Sequence, residues 1–96
     1  MRVADYIADM IYQAGVKDVF IVTGGGLMFM TDGLACHKKI NAVPCLHEQA
    51  AAMAALGYAQ YKGSYGACYV TTGCGGTNAV TGGLHAWQDN GPVIFV

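Results

Sequence analysis

Apolar residues at Val3, Ile7, Met10, Ile11 and Ala14 recur at helical spacing, while Asp5, Asp9 and Gln13 fall off that stripe. The pattern predicts an amphipathic first helix, with Gly15 where a C-terminal cap would stand. Val19-Phe20-Ile21-Val22 is a continuous β-branched and aromatic run, of the kind carried by a parallel strand buried on both faces, and it leads straight into Thr23-Gly24-Gly25-Gly26. Leu27 to Leu34 reads as helix, and Ile40 to Cys45 as a second short strand with Pro44 near its end. A further helix is predicted from about His47 to Tyr61, Lys62 to Gly66 is turn chemistry, and Ala67 to Thr71 reads as a third strand. Thr72 to Asn78 forms a second glycine loop, and Asn78 to Gln88 a helix despite Gly82 and Gly83, each of which costs it roughly 1 kcal/mol relative to Ala. After Asp89-Asn90-Gly91-Pro92, the run Val93-Ile94-Phe95-Val96 is a fourth apolar strand, again of the buried type. Strands alternating with helices through short connections specify an α/β domain with a mostly parallel sheet of about four strands, right-handed crossovers and helices on both faces.

Composition narrows the classes open to this chain. At 96 residues it is at most one domain, residues 1–96, with a modest core. Hydrophobic residues make up 54% and charged residues 11%, too few charges to cover a free-standing globule, so part of the surface is expected to lie against something else. A net charge of −1 offers no basic footprint for nucleic acid and no polybasic patch for a membrane. Asp5 and Asp9 break what would be the apolar region of a signal peptide, and no apolar run approaches the ~20 residues of a membrane span. Cys36, Cys45, Cys68 and Cys74 form no C-x-x-C pair, so free thiols in a cytoplasmic protein, packed as small buried hydrophobes, are expected. A zinc site can be drawn from Cys45, His47 and another cysteine, but its spacing matches no ligand pattern, and no metal site is expected. The last strand has no helix after it to cover it, which reads as a fragment of a longer protein.

One charge needs a reason. From Gln49 to Tyr61 no ionised residue occurs and alanines abound, so the helix is built for close burial, yet Glu48 stands in its first turn. There the helix dipole and desolvation both act on a carboxylate, and desolvation is expected to raise its pKa. The plain alternative is an acid serving as helix cap or dipole partner, and His47 reads equally as a capping or interface residue. In an open parallel sheet, ligands collect outside the carboxyl ends of the strands, where Thr23 to Gly26, His47 with Glu48, and Thr72 to Asn78 all fall. Glycines there let backbone approach a flat or charged ligand. Neither loop is a dinucleotide fingerprint, since Phe29 and Asn78 stand where third glycines belong, and the absence of Gly-Lys-Ser/Thr excludes a P-loop.

The order Gly15-Val16-x-x-Val19-Phe20, Thr23-Gly24-Gly25-Gly26, His47-Glu48-Gln49-Ala50-Ala51-x-Met53-Ala54-x-x-Gly57-Tyr58-Ala59, Thr71-Thr72-Gly73-x-Gly75-x-Thr77-Asn78-x-Val80-Thr81-Gly82 and Ala86-x-x-Asp89-x-x-Pro92-Val93 resembles the N-terminal pyrimidine-binding domain of thiamine-diphosphate-dependent enzymes, of the acetolactate synthase and 2-keto-acid decarboxylase kind. The resemblance spans nearly the whole chain. It implies a three-layer, flavodoxin-like, doubly wound sheet, here incomplete, and thiamine diphosphate as cofactor. Glu48 would be the catalytic carboxylate that hydrogen-bonds ring nitrogen N1′ of the aminopyrimidine and favours its imino tautomer, for decarboxylation or carboligation of a 2-keto acid. Gly24 and Gly25 would lie against the cofactor, and Thr72, Gly73 and Asn78 beside the pyrimidine, with Asn78 equally readable as a capping residue; the helix that follows would lie at a subunit interface. Cys74 and Gly76 depart from the usual proline and alanine and loosen that turn; Gly83 and Gly91 replace larger residues. The family's Gly-Asp-Gly motif, which holds Mg²⁺ and the diphosphate, does not occur here. The resemblance therefore implies half a site, completed by the diphosphate-binding domain of another subunit in a homo-oligomer, and an inactive isolated chain. Two other functions stay open: a non-catalytic interaction module that binds a partner subunit through apolar faces, and generic nucleotide binding.

Overall fold

The computed structural model describes residues 1–96. Five α-helices and four strands alternate: α1 Val3–Gln13, β1 Asp18–Ile21, α2 Met28–Cys36, β2 Asn41–Pro44, α3 Glu48–Lys62, β3 Gly66–Tyr69, α4 Cys74–Asn78, α5 Val80–Gln88 and β4 Val93–Phe95, with a 3₁₀ turn at Gly25–Leu27 ahead of α2. All strand pairs are parallel, in the order β2-β1-β3-β4. Register is fixed by Asp18 opposite Asn41, Phe20 opposite Cys68, and Gly66 opposite Val93. The α/β, doubly wound reading holds, with four strands.

Strand alternation divides the core into two layers. Val19, Ile21, Ala67 and Tyr69 point to one face and pack with Ile11, Val16, Leu27 and Leu34, beneath α1 and α2. Cys68 points to the other face and packs with Ala51, Ala52, Ala55 and Ala79, bordered by Phe20, Val22 and Val70, beneath α3 and α5. Alanine on α3 lets the helix sit close to the sheet. The same closeness explains glycine within helices: a Cβ at Gly82 would collide with Ala52 Cβ, and one at Gly33 would stand 2.7 Å from the carbonyl carbon of Ala4. Gly82, which weakens α5 locally, thus serves contact between α3 and α5. On the other face Arg2, in β-region conformation ahead of α1, binds Asp5 at 2.8 Å and Asp32 at 2.6 Å, tying α1 to α2. The Arg2 hydrogen bonds hold the Asp5 carboxyl below its ordinary value.

Three expectations change. Val93 to Phe95 is an edge strand, only partly covered, because β3 is its sole neighbour. The glycine loop from Thr72 contains the short helix α4, broken from α5 at Ala79, whose N–H bonds back to the carbonyls of Gly75 at 3.2 Å and Gly76 at 3.1 Å. Of the cysteines, only Cys68 is buried; Cys36, the last residue of α2, and Cys74, the first of α4, are exposed at helix ends, outside both core layers. No helix is long and apolar enough to cross a membrane.

Candidate functional site

Between β1 and β3 the direction of winding reverses: the chain leaves β1 toward β2 on one side and β3 toward β4 on the other. In an open parallel sheet a ligand crevice forms outside the carboxyl ends of the strands at such a reversal. Two glycine turns meet there. A Cβ at Gly24 would stand 2.5 Å from Thr71 Cβ, one at Gly26 would collide with Thr72 Oγ1, and one at Gly75 would stand 2.7 Å from Thr71 Cγ2. Thr71, at the exit of β3, is therefore wedged between the turn after β1 and the first residues of α4.

Glu48 arrives from the third direction, at the exit of β2. His47 holds extended φ/ψ of −148° and 144°, and its Nδ1 accepts the Gln49 backbone N–H at 3.1 Å. His47 is thus the N-cap of α3, which frees Glu48, the first helical residue, from capping duty. Asn78 Nδ2 donates to Glu48 Oε1 at 3.2 Å. The second oxygen lies toward Gly75, whose built Cβ would be 3.6 Å from Oε2. Glu48 is half-buried and Asn78 exposed. Beneath them Cys68 is fully buried, and burial pushes its thiol up to about 12, with Cys45 and Glu48 adding to the rise. Cys68 is a neutral packing group at ordinary pH.

The remaining predicted residues take different places. Gly24 and Gly25 line an open hollow of about 340 Å³ with Thr23, Met28 and Thr31, and nothing stands within 4 Å of a Cβ built at Gly25. Thr72 is exposed with its hydroxyl beside Gly26, and Gly73, at φ +70°, leads into α4. The structure thus brings together Glu48, Asn78 and Gly75, and Gly24 with Thr71; no hydrogen bond joins Thr72 or Gly73 to Glu48. Thr71 and His47 are the residues whose part was not legible from the motif. Thr71 read only as the end of a strand, and His47 carried no signal separating cap from ligand contact. A larger hollow, of about 400 Å³, runs along α1 and α2 and shares no residue with these turns. Its polar groups pair with one another, Arg2 with Asp5 and His37 Nε2 with Asp9 at 3.4 Å. No three His, Cys, Asp or Glu side chains are grouped to hold a metal ion.

The sequence profile of the family described as "Thiamine pyrophosphate enzyme, N-terminal TPP binding domain" matches residues 1–96. The chain is 38% identical over 96 residues to the Escherichia coli "Acetolactate synthase isozyme 2 large subunit", covering 100% of this chain and 17% of that protein. It is 39% identical over 94 residues to the Methanocaldococcus jannaschii "Probable acetolactate synthase large subunit", covering 98% of this chain and 16% of that one. To the Neurospora crassa "Pyruvate decarboxylase" it is 34% identical over 94 residues, again 98% and 16%. The chain spans only about a sixth of the length of these curated relatives. The profile match over residues 1–96, together with these relatives, shows that the chain belongs to the thiamine pyrophosphate enzyme family, as its N-terminal domain.

Proposed function

We propose that the chain binds the aminopyrimidine half of thiamine diphosphate, with Glu48 as the carboxylate that meets ring nitrogen N1′, within an enzyme that decarboxylates or carboligates 2-keto acids. The observation that carries this reading is the pairing at Glu48: one oxygen is held by Asn78, and the other has no partner and faces glycine backbone. A ring N–H needs a free acceptor, and a flat ring needs a surface without side chains, which Gly24, Gly25 and Gly75 supply. When bound, the cofactor supplies an electron sink for breaking or forming a carbon–carbon bond beside a carbonyl. Glu48 contributes a position at which a proton is shared with the ring, and α3 and the two turns hold that position.

The diphosphate is held elsewhere in this reading. Lys17, Lys38, Lys39 and Lys62 all precede strands or end α3, which places them at the amino edge of the sheet, opposite Glu48. Arg2 is engaged by two aspartates. No lysine or arginine is left at the carboxyl edge for a diphosphate, which supports a reading in which Mg²⁺ and its ligands come from a diphosphate-binding domain of another subunit. Val80, Leu84 and Trp87, spaced along one face of α5, are 61%, 54% and 81% exposed and offer an apolar surface for such a partner in a homo-oligomer. The same stripe favours the second reading, a non-catalytic module that docks a partner and takes no cofactor.

Titrating the ¹⁵N-labelled chain with thiamine diphosphate and Mg²⁺ separates the two. Amide shifts clustered at Gly24, Glu48, Gly75 and Asn78, lost in Glu48→Gln, are the expected result. Absence of shifts with and without a diphosphate-domain partner overturns cofactor binding, and the same titration with a nucleotide panel tests nucleotide binding. The purified chain is expected to turn over no pyruvate, and measurable turnover would overturn the half-site reading.

A further inference from the structure

We infer that Asn78 is a positioning residue for Glu48, and that it selects which carboxylate oxygen is left for the ligand. The inference rests on Glu48 being the cofactor carboxylate and adds the device that orients it.

Glu48 has two equivalent oxygens and three side-chain torsions, so a carboxylate at a helix mouth does not by itself aim either oxygen. Its one side-chain partner comes from thirty residues along the chain, Asn78 at the end of α4. Facing a carboxylate, only the NH₂ of the amide can donate, so Nδ2 is the atom engaged and the orientation of the amide is settled by chemistry. Oε1 is thereby taken. Oε2 is left on the Gly75 side, where no side chain intervenes and where a Cβ would press on Thr71.

The residue type suits the task. A lysine or arginine at this position would bind the carboxylate more tightly but would neutralise it and compete with a ring N–H. An amide cannot give up a proton at ordinary pH and carries no charge, so it fixes the geometry and leaves the negative charge for the ligand. The break between α4 and α5 at Ala79 lets this happen, because Asn78 belongs to a helix pinned by Thr71 and Gly75 and not to the outward run of α5. Asn78 therefore acts on the ligand through Glu48.

Two measurements test this on the 96-residue chain. In the first, the side-chain amide resonances of Asn78 are followed: Glu48→Ala is expected to move them toward the values of a free exposed amide, and indifference to Glu48→Ala overturns the bond. In the second, the chain is titrated with thiamine diphosphate and Mg²⁺. Asn78→Ala is expected to weaken binding about tenfold, the size of a lost hydrogen bond to a charged group. Asn78→Asp, which sets a second carboxylate against Glu48, is expected to weaken it at least as much, and Asn78→Gln, which keeps the donor, to recover part of the loss. Melting temperatures of the three variants should stay together, because Asn78 is exposed; this separates positioning from folding. Wild-type binding by both Asn78→Ala and Asn78→Asp overturns the inference. If the wild-type chain takes up no thiamine diphosphate either alone or with a diphosphate-domain partner, the cofactor reading falls together with the ligand half of this inference, while the amide resonances still decide whether Asn78 holds Glu48.

Discussion

Glu48 and His47 divide two jobs that either could have performed. A first-turn glutamate commonly satisfies the helix terminus, but here the imidazole of His47 accepts the Gln49 N–H and the carboxylate is left to Asn78 and to whatever faces Oε2. The spacing of residues could not separate the two, because both lie within reach of the same backbone donors. Burial separates the cysteines in the same way. Cys68 is fully buried and its thiol is raised, whereas Cys36 and Cys74 are exposed. A disulfide reagent at neutral pH is expected to modify Cys36 and Cys74 at once and Cys68 only after denaturation, which peptide mapping would show; early labelling of Cys68 would contradict the packing beneath α3. Tyr69 poses a different problem: its side chain is buried and its hydroxyl has no partner. Removing an unsatisfied buried hydroxyl relieves a desolvation cost, so Tyr69→Phe is expected to stabilise the fold by about 1 kcal/mol in urea unfolding.

Among the elements, α3 and α5 show how packing overrules propensity. Gly82 costs α5 helix stability, and Ala in its place would gain roughly 1 kcal/mol in an isolated helix. Against Ala52 there is no room for the methyl group. Gly82→Ala is therefore expected to destabilise the chain by ~1–3 kcal/mol, the usual range for overpacking, and a rise in the urea midpoint would show that α3 and α5 can separate without penalty. The alanines of α3 were legible as a sign of close burial, and the strands as apolar runs, because both are local statements about which side chains tolerate water. The helix within Thr72 to Asn78 was not legible. Three glycines in seven residues argue locally for a loop, and only contact with Thr71 and the carbonyl pairing at Ala79 make α4 worth forming.

For the whole molecule, the buried acids set the response to base. Burial favours the protonated forms of Cys68 and Tyr69, raising them from 9.0 and 10.0 to about 12 each. The unfolded chain loses these protons first, so their contribution to stability is complete below about pH 9 and declines as the pH climbs from there toward 12. Unfolding followed by circular dichroism across that range should show the decline, reduced in Tyr69→Phe. The apolar stripe of α5 also belongs to this scale, since composition foretold an uncovered surface without saying where. Trp87→Asp is expected to leave the melting temperature of the isolated chain within a few degrees and to abolish association with a diphosphate-domain partner, measured by analytical ultracentrifugation.

By itself the sequence determined the α/β class, the alternation of elements, and the candidacy of Glu48 between two glycine turns, because hydrophobic runs, turn residues and an isolated charge are written locally. The order of the strands, the reversal between β1 and β3, the wedge of Thr71 and the bond from Asn78 to Glu48 were decided only in three dimensions. Each joins residues far apart in the chain, and their meeting depends on how closely alanine and glycine faces let helices approach the sheet, a property of the assembled layers that no single stretch of residues carries.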